Sequence, residues 1–490
     1  MASNQSGEKN IRQWWGGVSD DVREQTTTEF FISKHFDTIT SPNRLTPYRD
    51  SEADENTAFL IRNFVYTGSV FFGLGRTAAN TKTKVYFKDP SPITGTWTAA
   101  TNGEAANNDT THFDTLAAYG GDLWGLRTGP SIWQYDISGT TFNQSIVALA
   151  ENPSTVCPPV HHPISDRLFF GYNNRIAQVD GLVGTDGVLI LPSNLAITSM
   201  CPFGDAMAIA CAAKTGNSSQ SYVYLWNMID PTPYQMIDWG QETLKVLESA
   251  DNQLIGVSLA GNSDFNFAQT LFFKSWNGGD VEKIKEIPLD ATTYVLGVQK
   301  VLNQNRLYSV LYNSAGGTDA FSGIWVIGRK NEKYPWQVTV DRKFSNDTSI
   351  TSVQGINKLG DYMWVAHSND GQVDRTNDSS SYTATSFVDT QKYNGDNPSI
   401  EKQLRGVALS YVANPAAGVP VLKYRKDAET SYTEIFTDTT DDAMSTIRTA
   451  VALTTSLPNF CEIQFRVECT GGTQITQIRF LYDFKGSSMD

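Results

Sequence analysis

Short apolar runs rich in Val, Ile, Phe, Tyr and Trp are separated along the chain by turn dipeptides such as Gly120-Gly121, Asp180-Gly181, Gly278-Gly279 and Gly471-Gly472. Stretches with the 3.6-residue period of a helix are scarce, so the pattern predicts an all-β chain of many short strands. One unit recurs: a turn residue, an apolar strand, a loop, and a second strand carrying aromatics. Seven copies open at Ser69, Asp122, Asp166, Asp205, Asn252, Asn305 and Asp361, with successive openings 39 to 56 residues apart. The second strands of these copies fall at 85–87, 132–136, 176–180, 222–226, 270–273, 324–327 and 372–374. A four-stranded blade needs about 40 to 50 residues, so residues 61–395 predict a β-propeller of about seven blades.

After residue 395 the pattern changes to longer, regular alternation. Leu422 and Tyr424 alternate with Lys423 and Arg425, Ile463, Phe465 and Val467 alternate with Glu462, Gln464 and Arg466, and Ile478, Phe480 and Tyr482 continue the series after Gly471-Gly472. Strands with one apolar and one wet face predict an antiparallel β-sandwich over 396–490. Residues 1–60 fit neither pattern and read as an N-terminal arm. Its adjacent aromatics, Trp14 and Trp15 and then Phe30 and Phe31, have no amphipathic partner nearby, which marks them as contacts with the propeller or with another chain.

Composition narrows the function. In 490 residues, 40% hydrophobic and only 18% charged, there is ample material for a large core, which excludes wholesale disorder. A formal net charge of −14 argues against a basic nucleic-acid-binding face. No run of 18 apolar residues predicts a membrane span, and the polar start Met1-Ala2-Ser3-Asn4-Gln5 is unlike a secretory signal. Five cysteines with irregular spacing are expected to be reduced.

Catalytic motifs do not emerge. The chain has no G-x-S-x-G, Walker loop, H-E-x-x-H or C-x-x-C. Gly73-Leu74-Gly75-Arg76 lacks the following helix that a dinucleotide turn requires. Cys157, His161 and His162 could each ligate a metal, but Pro158-Pro159 stiffens the link between them and no second ligand pair lies nearby, so they read as a loop between blades. Ser368-Asn369-Asp370-Gly371 is similar to the turn box of sialidase blades, yet it occurs once and lacks the following Thr-Trp. The expectation is a protein that is not an enzyme and needs no cofactor and no metal.

The two ends of the chain carry a resemblance. Trp15-Gly16-Gly17-Val18-Ser19-Asp20, followed by the segment from Ser33 to Tyr48 with its Ser41-Pro42-Asn43-Arg44-Leu45, resembles the opening of structural proteins of tailed bacteriophages. Leu404-Arg405-Gly406-Val407-Ala408-Leu409, Val421-Leu422-Lys423-Tyr424-Arg425 and Glu462-Ile463-Gln464-Phe465 are similar to the β-sandwich that closes such proteins. The resemblance implies a virion component of the tail or neck, such as a nozzle, tail-end ring or fibre, folded in the host cytoplasm. It implies copies of itself and other virion proteins as partners, with no specific nucleic acid and no membrane insertion. Two other classes stand beside it: a carbohydrate-binding or glycan-cleaving propeller acting on host-surface glycans, and a cellular propeller scaffold.

Overall fold

The computed structural model describes residues 6–12, 14, 17–18, 29–34, 36–41, 43–49, 51–54, 60–76, 82–89, 96–104, 115–127, 129–214, 220–261, 269–315, 321–342, 353–367, 373–376, 386–395, 397–412, 418–438, 447–452 and 457–485. Among these residues all regular structure is β, and the sheets are almost entirely antiparallel. The chain divides into two compact units, one made of Ser51–Ile324 and Phe344–Asp378, the other of Met1–Asp50, Trp325–Lys343 and Ser379–Asp490.

The first unit is propeller-like. Five consecutive four-stranded meanders begin with the strands Leu60–Tyr66, Ala117–Tyr119, Val160–His162, Leu195–Phe203 and Thr243–Ala250. A sixth set begins with the hairpin Tyr294–Asn303 and Arg306–Asn313, and a seventh with Val353–Leu359, Tyr362–His367 and Val373–Thr376. The seven leading strands touch in succession, and Val353–Leu359 returns to touch Leu60–Tyr66, so the series closes. Gly355 sits at that last contact: a β-carbon there would lie 2.8 Å from the Arg62 carbonyl oxygen, so the two strands approach closely only because the side chain is missing.

The turn residues that mark each repeat in the sequence do form tight turns. Asp251 and Asn252 have φ of 49° and 58°, and Gln304 and Asn305 have 51° and 58°, the double positive φ of type I′ hairpins. These hairpins join the leading strand to the second strand. The strand that opens each repeat in the sequence is therefore the second of its meander, as Arg167–Tyr172 is after Asp166. The reason is burial. Leu168, Phe169, Phe170 and Tyr172 are covered on both faces and read as a continuous apolar run, whereas the leading strand Val160–His162 is three residues long and two of them are histidines.

A leading strand has a neighbour on only one edge within its own meander, and polar side chains lace the other edges together. Ser199 Oγ accepts a hydrogen bond from Leu247 N at 3.1 Å, Thr198 Oγ1 donates to Leu244 O at 2.6 Å, and Asn357 Nδ2 donates to Phe64 O at 3.2 Å. Lys300 does most. Its ammonium donates to Met200 O at 2.7 Å and to Leu247 O, and pairs with Glu248 at 2.9 Å, joining three leading strands with one nearly buried charge.

The last meander is completed from the other end of the chain. Ser51–Ala53 pairs antiparallel with Val373–Thr376, in the register Ala53 to Asp374 and Ser51 to Thr376. Next to it, Asp54 accepts hydrogen bonds from Lys88 Nζ at 2.6 Å and Trp97 Nε1 at 3.0 Å, and pairs with Arg375 Nε at 3.2 Å. Phe71 and Trp364 meet across the same junction with ring centroids 4.8 Å apart. Residues 51–54, placed in the arm by the sequence reading, thus belong to this unit. Ser51, Glu52 and Ala53 give no alternation signal by themselves, and their partner strand is more than 300 residues away.

Among the described residues the second unit holds two main sheets and the short pair Phe36–Asp37 with Thr46–Pro47. In one, Ser6–Ile11, Gln474–Phe484, Lys402–Val412 and Ile447–Ala452 lie side by side, with Asn459–Phe460 beside Lys402–Val412. In the other the order runs Gln337–Arg342, Glu29–Lys34, Ser386–Thr390, Ile463–Cys469, Pro420–Lys426 and Thr433–Thr437. Phe480 of the first sheet and Phe465 of the second have ring centroids 4.9 Å apart, and Ile463, Val467 and Ile478 are fully buried, as the alternating pattern requires. The contact division departs from boundaries at 60 and 395: residues 325–343 and 379–395 belong with the C-terminal sheets, because Gln337–Arg342 and Ser386–Thr390 are strands of the second sheet.

Candidate assembly module

The N-terminal segment is woven into the C-terminal sheets. Ser6–Ile11 pairs with the last strand in the register Ser6 to Asp483 and Ile11 to Ile478. Gly7 lies against the Tyr482 ring so closely that a β-carbon would fall 2.3 Å from it, so the aromatic ring occupies the space a side chain would take. On the exposed face, Glu8 accepts from Asn10 at 2.6 Å and pairs with Arg479 at 2.8 Å; these two contacts hold its carboxyl below the usual range. Gln477 Nε2 donates to Asn10 Oδ1 at 2.7 Å.

Farther along, Leu45 and Ile475 exchange two backbone hydrogen bonds, 2.9 and 3.1 Å, and Arg44 reaches Gln474 Oε1 at 2.9 Å. Asp37 shapes the approach by accepting from Ile39 N at 2.8 Å and Thr40 N at 3.0 Å, an Asx turn that starts the loop toward Thr46–Pro47. Glu29–Lys34 sits between Ser386–Thr390, antiparallel, and Gln337–Arg342, parallel. The covering is electrostatically closed as well. Asp389 takes a two-pronged bond from Arg466 at 2.6 and 2.7 Å, and the guanidinium lies over Phe387 and Tyr432 at 4.5 and 4.2 Å. Lys402 is fully buried with its ammonium donating to the carbonyls of Asn397 and Ile400 at 2.6 Å and of Cys461 at 3.2 Å; burial lowers its pKa.

The residues singled out by sequence fall unevenly. Trp14 is fully buried within the single chain. Phe30 and Phe31 have their backbone in Glu29–Lys34, with Phe30 paired to Thr390, while their side chains and the whole of Trp15 lie outside the described residues. Asp370 also lies outside them. Cys157, His161 and His162 turn to different partners: the Cys157 thiol is buried near Gly171 O and pushed up to about 12 by burial, His161 pairs with Asp166 at 3.0 Å, and His162 faces Ala206 O at 3.2 Å. Among the described residues, no three His, Cys, Asp or Glu side chains come close enough to hold a metal ion.

No family model and no curated protein matches the chain. Among solved structures it is similar to the computationally designed Ika8 protein, with 12% identity, 71% of this chain and 99% of that one covered, and a TM-score of 0.41. It is also similar to BamB from Moraxella catarrhalis, with 13% identity, 76% and 97% covered, and a TM-score of 0.39. A third likeness is to the extracellular domain of a hybrid two-component system from B. thetaiotaomicron, with 12% identity and a TM-score of 0.42, where 79% of this chain spans 47% of that one. These likenesses carry no functional argument.

Proposed function

We propose that the protein is a non-enzymatic structural component of a bacteriophage virion, a tail component that assembles as a cyclic oligomer, with a seven-bladed propeller and a β-sandwich built from both ends of the chain. One observation carries the reading. The two segments that resemble tailed-phage structural proteins, about 360 residues apart in sequence, meet in one sheet, where Gly17–Val18 lies beside Glu29–Lys34, itself one strand away from Ile463–Cys469, and Leu45 is bonded to Ile475 outside that sheet. A resemblance confined to two distant segments gains weight when the chain brings those segments together in space.

The paired charges favour the same reading. Lys402, Arg466, Lys300 and Asp54 are each consumed by contacts that fix strands to one another. Groups committed in this way stiffen a scaffold.

Mass spectrometry of purified virions, with copy number measured against the major capsid protein, tests the proposal. A small fixed copy number is expected, together with a defined oligomer of the purified protein by light scattering. Absence from virions overturns it, and binding or cleavage of host-surface glycans by the purified protein would favour the alternative reading.

A further inference from the structure

The propeller-like unit carries one apolar surface that its own chain leaves uncovered. Ile164, Leu182, Val183, Ile229, Tyr234 and Met236 are all more than half exposed, with Ile229 at 85%. They belong to two consecutive meanders, the third and the fourth. In an antiparallel meander the turn after the first strand and the turn after the third emerge at the same end, and the segments here are those turns: Ile164 in the first kind, Leu182 and Ile229 in the second. Two contacts tie the turns together. Arg167 Nε reaches Asp180 Oδ2 at 3.1 Å, and Ser165 Oγ reaches Met228 Sδ at 3.7 Å across the meander boundary.

Six such side chains expose apolar area on the order of several hundred Å², at or above the roughly 300–600 Å² of the largest patch on an ordinary monomer. That is most of the roughly 800 Å² each side of a stable interface contributes. Carboxylates surround the patch: Asp166 and Asp180, paired with His161 and Arg167, and Asp205 and Asp230 are all exposed. An isologous contact, patch on patch, would set these charges against their own copies. A partner surface must instead be basic with an apolar component.

The same chain offers one. In the loop from Arg329 to Trp336, Asn331 builds a turn by accepting from Lys333 N at 3.0 Å through its side chain and from Tyr334 N at 3.0 Å through its carbonyl. Arg329 lies over the Trp336 ring at 4.5 Å. Lys330 and Lys333 are exposed, neither has a carboxylate partner among the described residues, and with Arg329 they outnumber the loop's one exposed acid, Glu332. Tyr334 and Pro335 complete the apolar part of the loop.

We infer that the patch around Ile164 and Ile229 of one copy receives the Arg329–Trp336 loop of a second copy, a head-to-tail contact that joins subunits into a ring. The inference rests on the cyclic-oligomer reading given above and names the surfaces that make it. Two different surfaces per subunit are what rotational closure beyond a dimer needs. Lys330 and Lys333 meet the Asp205 and Asp230 side, and the loop's Tyr334 and Pro335 cover the isoleucines.

Two variants of the full chain test it, Ile164→Asp/Ile229→Asp and Lys330→Glu/Lys333→Glu, each changing only exposed residues, with circular dichroism and the melting temperature checking that the fold is kept. Light scattering should give a defined oligomer for the wild type and a monomer for each variant, with the dissociation constant raised about 30- to 100-fold, the scale of lost hot-spot residues. Mixing the two variants should produce a one-to-one heterodimer, because one intact patch and one intact loop remain. Wild-type mass retained in both variants would overturn the inference and leave the cyclic oligomer standing. A wild type that is monomeric at tens of micromolar yet present in virions would also overturn it without touching the virion reading, which absence from virions would remove separately.

Discussion

Asp54 and Lys88 form an ion pair at 2.6 Å with both side chains almost wholly shielded from solvent, and through it the segment that completes the last meander grips the third strand of the first. A carboxylate and an ammonium taken out of water together are tolerable. One alone is not, because its desolvation is no longer offset. Asp54→Asn should therefore cost about 3–5 kcal/mol, the range for breaking a buried pair from one side. Urea denaturation followed by tryptophan fluorescence measures this, and a variant within about 1 kcal/mol of wild type would show that the junction relaxes around Lys88.

Lys300 makes a separate prediction at the centre of the same unit. Lys300→Met keeps the length of the side chain but strands Glu248 and the carbonyls of Met200 and Leu247, each worth about 1–3 kcal/mol when left buried and unsatisfied. The expected result is a lowered denaturation midpoint together with faster amide exchange in Leu195–Phe203 and Thr243–Ala250. A change confined to Tyr294–Asn303 would mean that the lysine does not couple the three strands.

His162 gives the unit a pH dependence. The ring is fully buried; Nδ1 accepts from Ser165 N at 3.3 Å, so Nε2 carries the proton and donates to Ala206 O. Burial lowers its pKa, with neighbouring His161 adding to the effect and the Ala206 carbonyl and Asp205 opposing it. A folded-state pKa below the unfolded value, about 6.5, means the folded chain takes up the proton less readily. This contribution to stability is present above that unfolded value and is lost as pH falls through the folded one. Melting temperature should drop between pH 7 and 5 more steeply in wild type than in His162→Gln; equal slopes would assign the acid sensitivity to other groups.

The N-terminal strand can be released by one methyl-bearing group. Gly7→Val places its side chain inside the Tyr482 ring and should expose Gln474–Phe484 to amide exchange without unfolding the propeller-like unit. Adding Tyr482→Ala should restore protection. If the single variant protects the last strand as well as wild type does, Gly7 is not what lets the strand dock.

The sequence was legible where burial on both faces made an apolar run, as in Leu168–Phe170, or where one wet face imposed alternation, as in Ile463, Phe465 and Val467. It was least legible where a strand takes its identity from a distant partner. Ser6–Ile11 contains a single large apolar residue, Ile11, and becomes a strand only because Gln474–Phe484 presents an edge to it. Ser51–Ala53 has none beyond an alanine. Trp14 could be read as a residue in need of cover, with cover from its own chain and from another chain both open; it is covered within its own chain. The exposed patch left no trace either, since Ile164, Leu182 and Ile229 each stand alone in a turn and a lone apolar residue in a turn is ordinary.

The strand Ser51–Ala53 also sets a clock. It leaves the ribosome long before its partner, for about 320 residues must still be added before Val373–Thr376 exists, which at roughly 5–20 residues per second takes on the order of 15 to 60 s. During that interval the first meanders can form as local hairpins, but the circle remains open. Closure is thus reserved for chains extended past residue 376. A nascent or truncated product that stops before residue 373 would leave Ser51–Ala53 without its partner, an open edge offered to other chains.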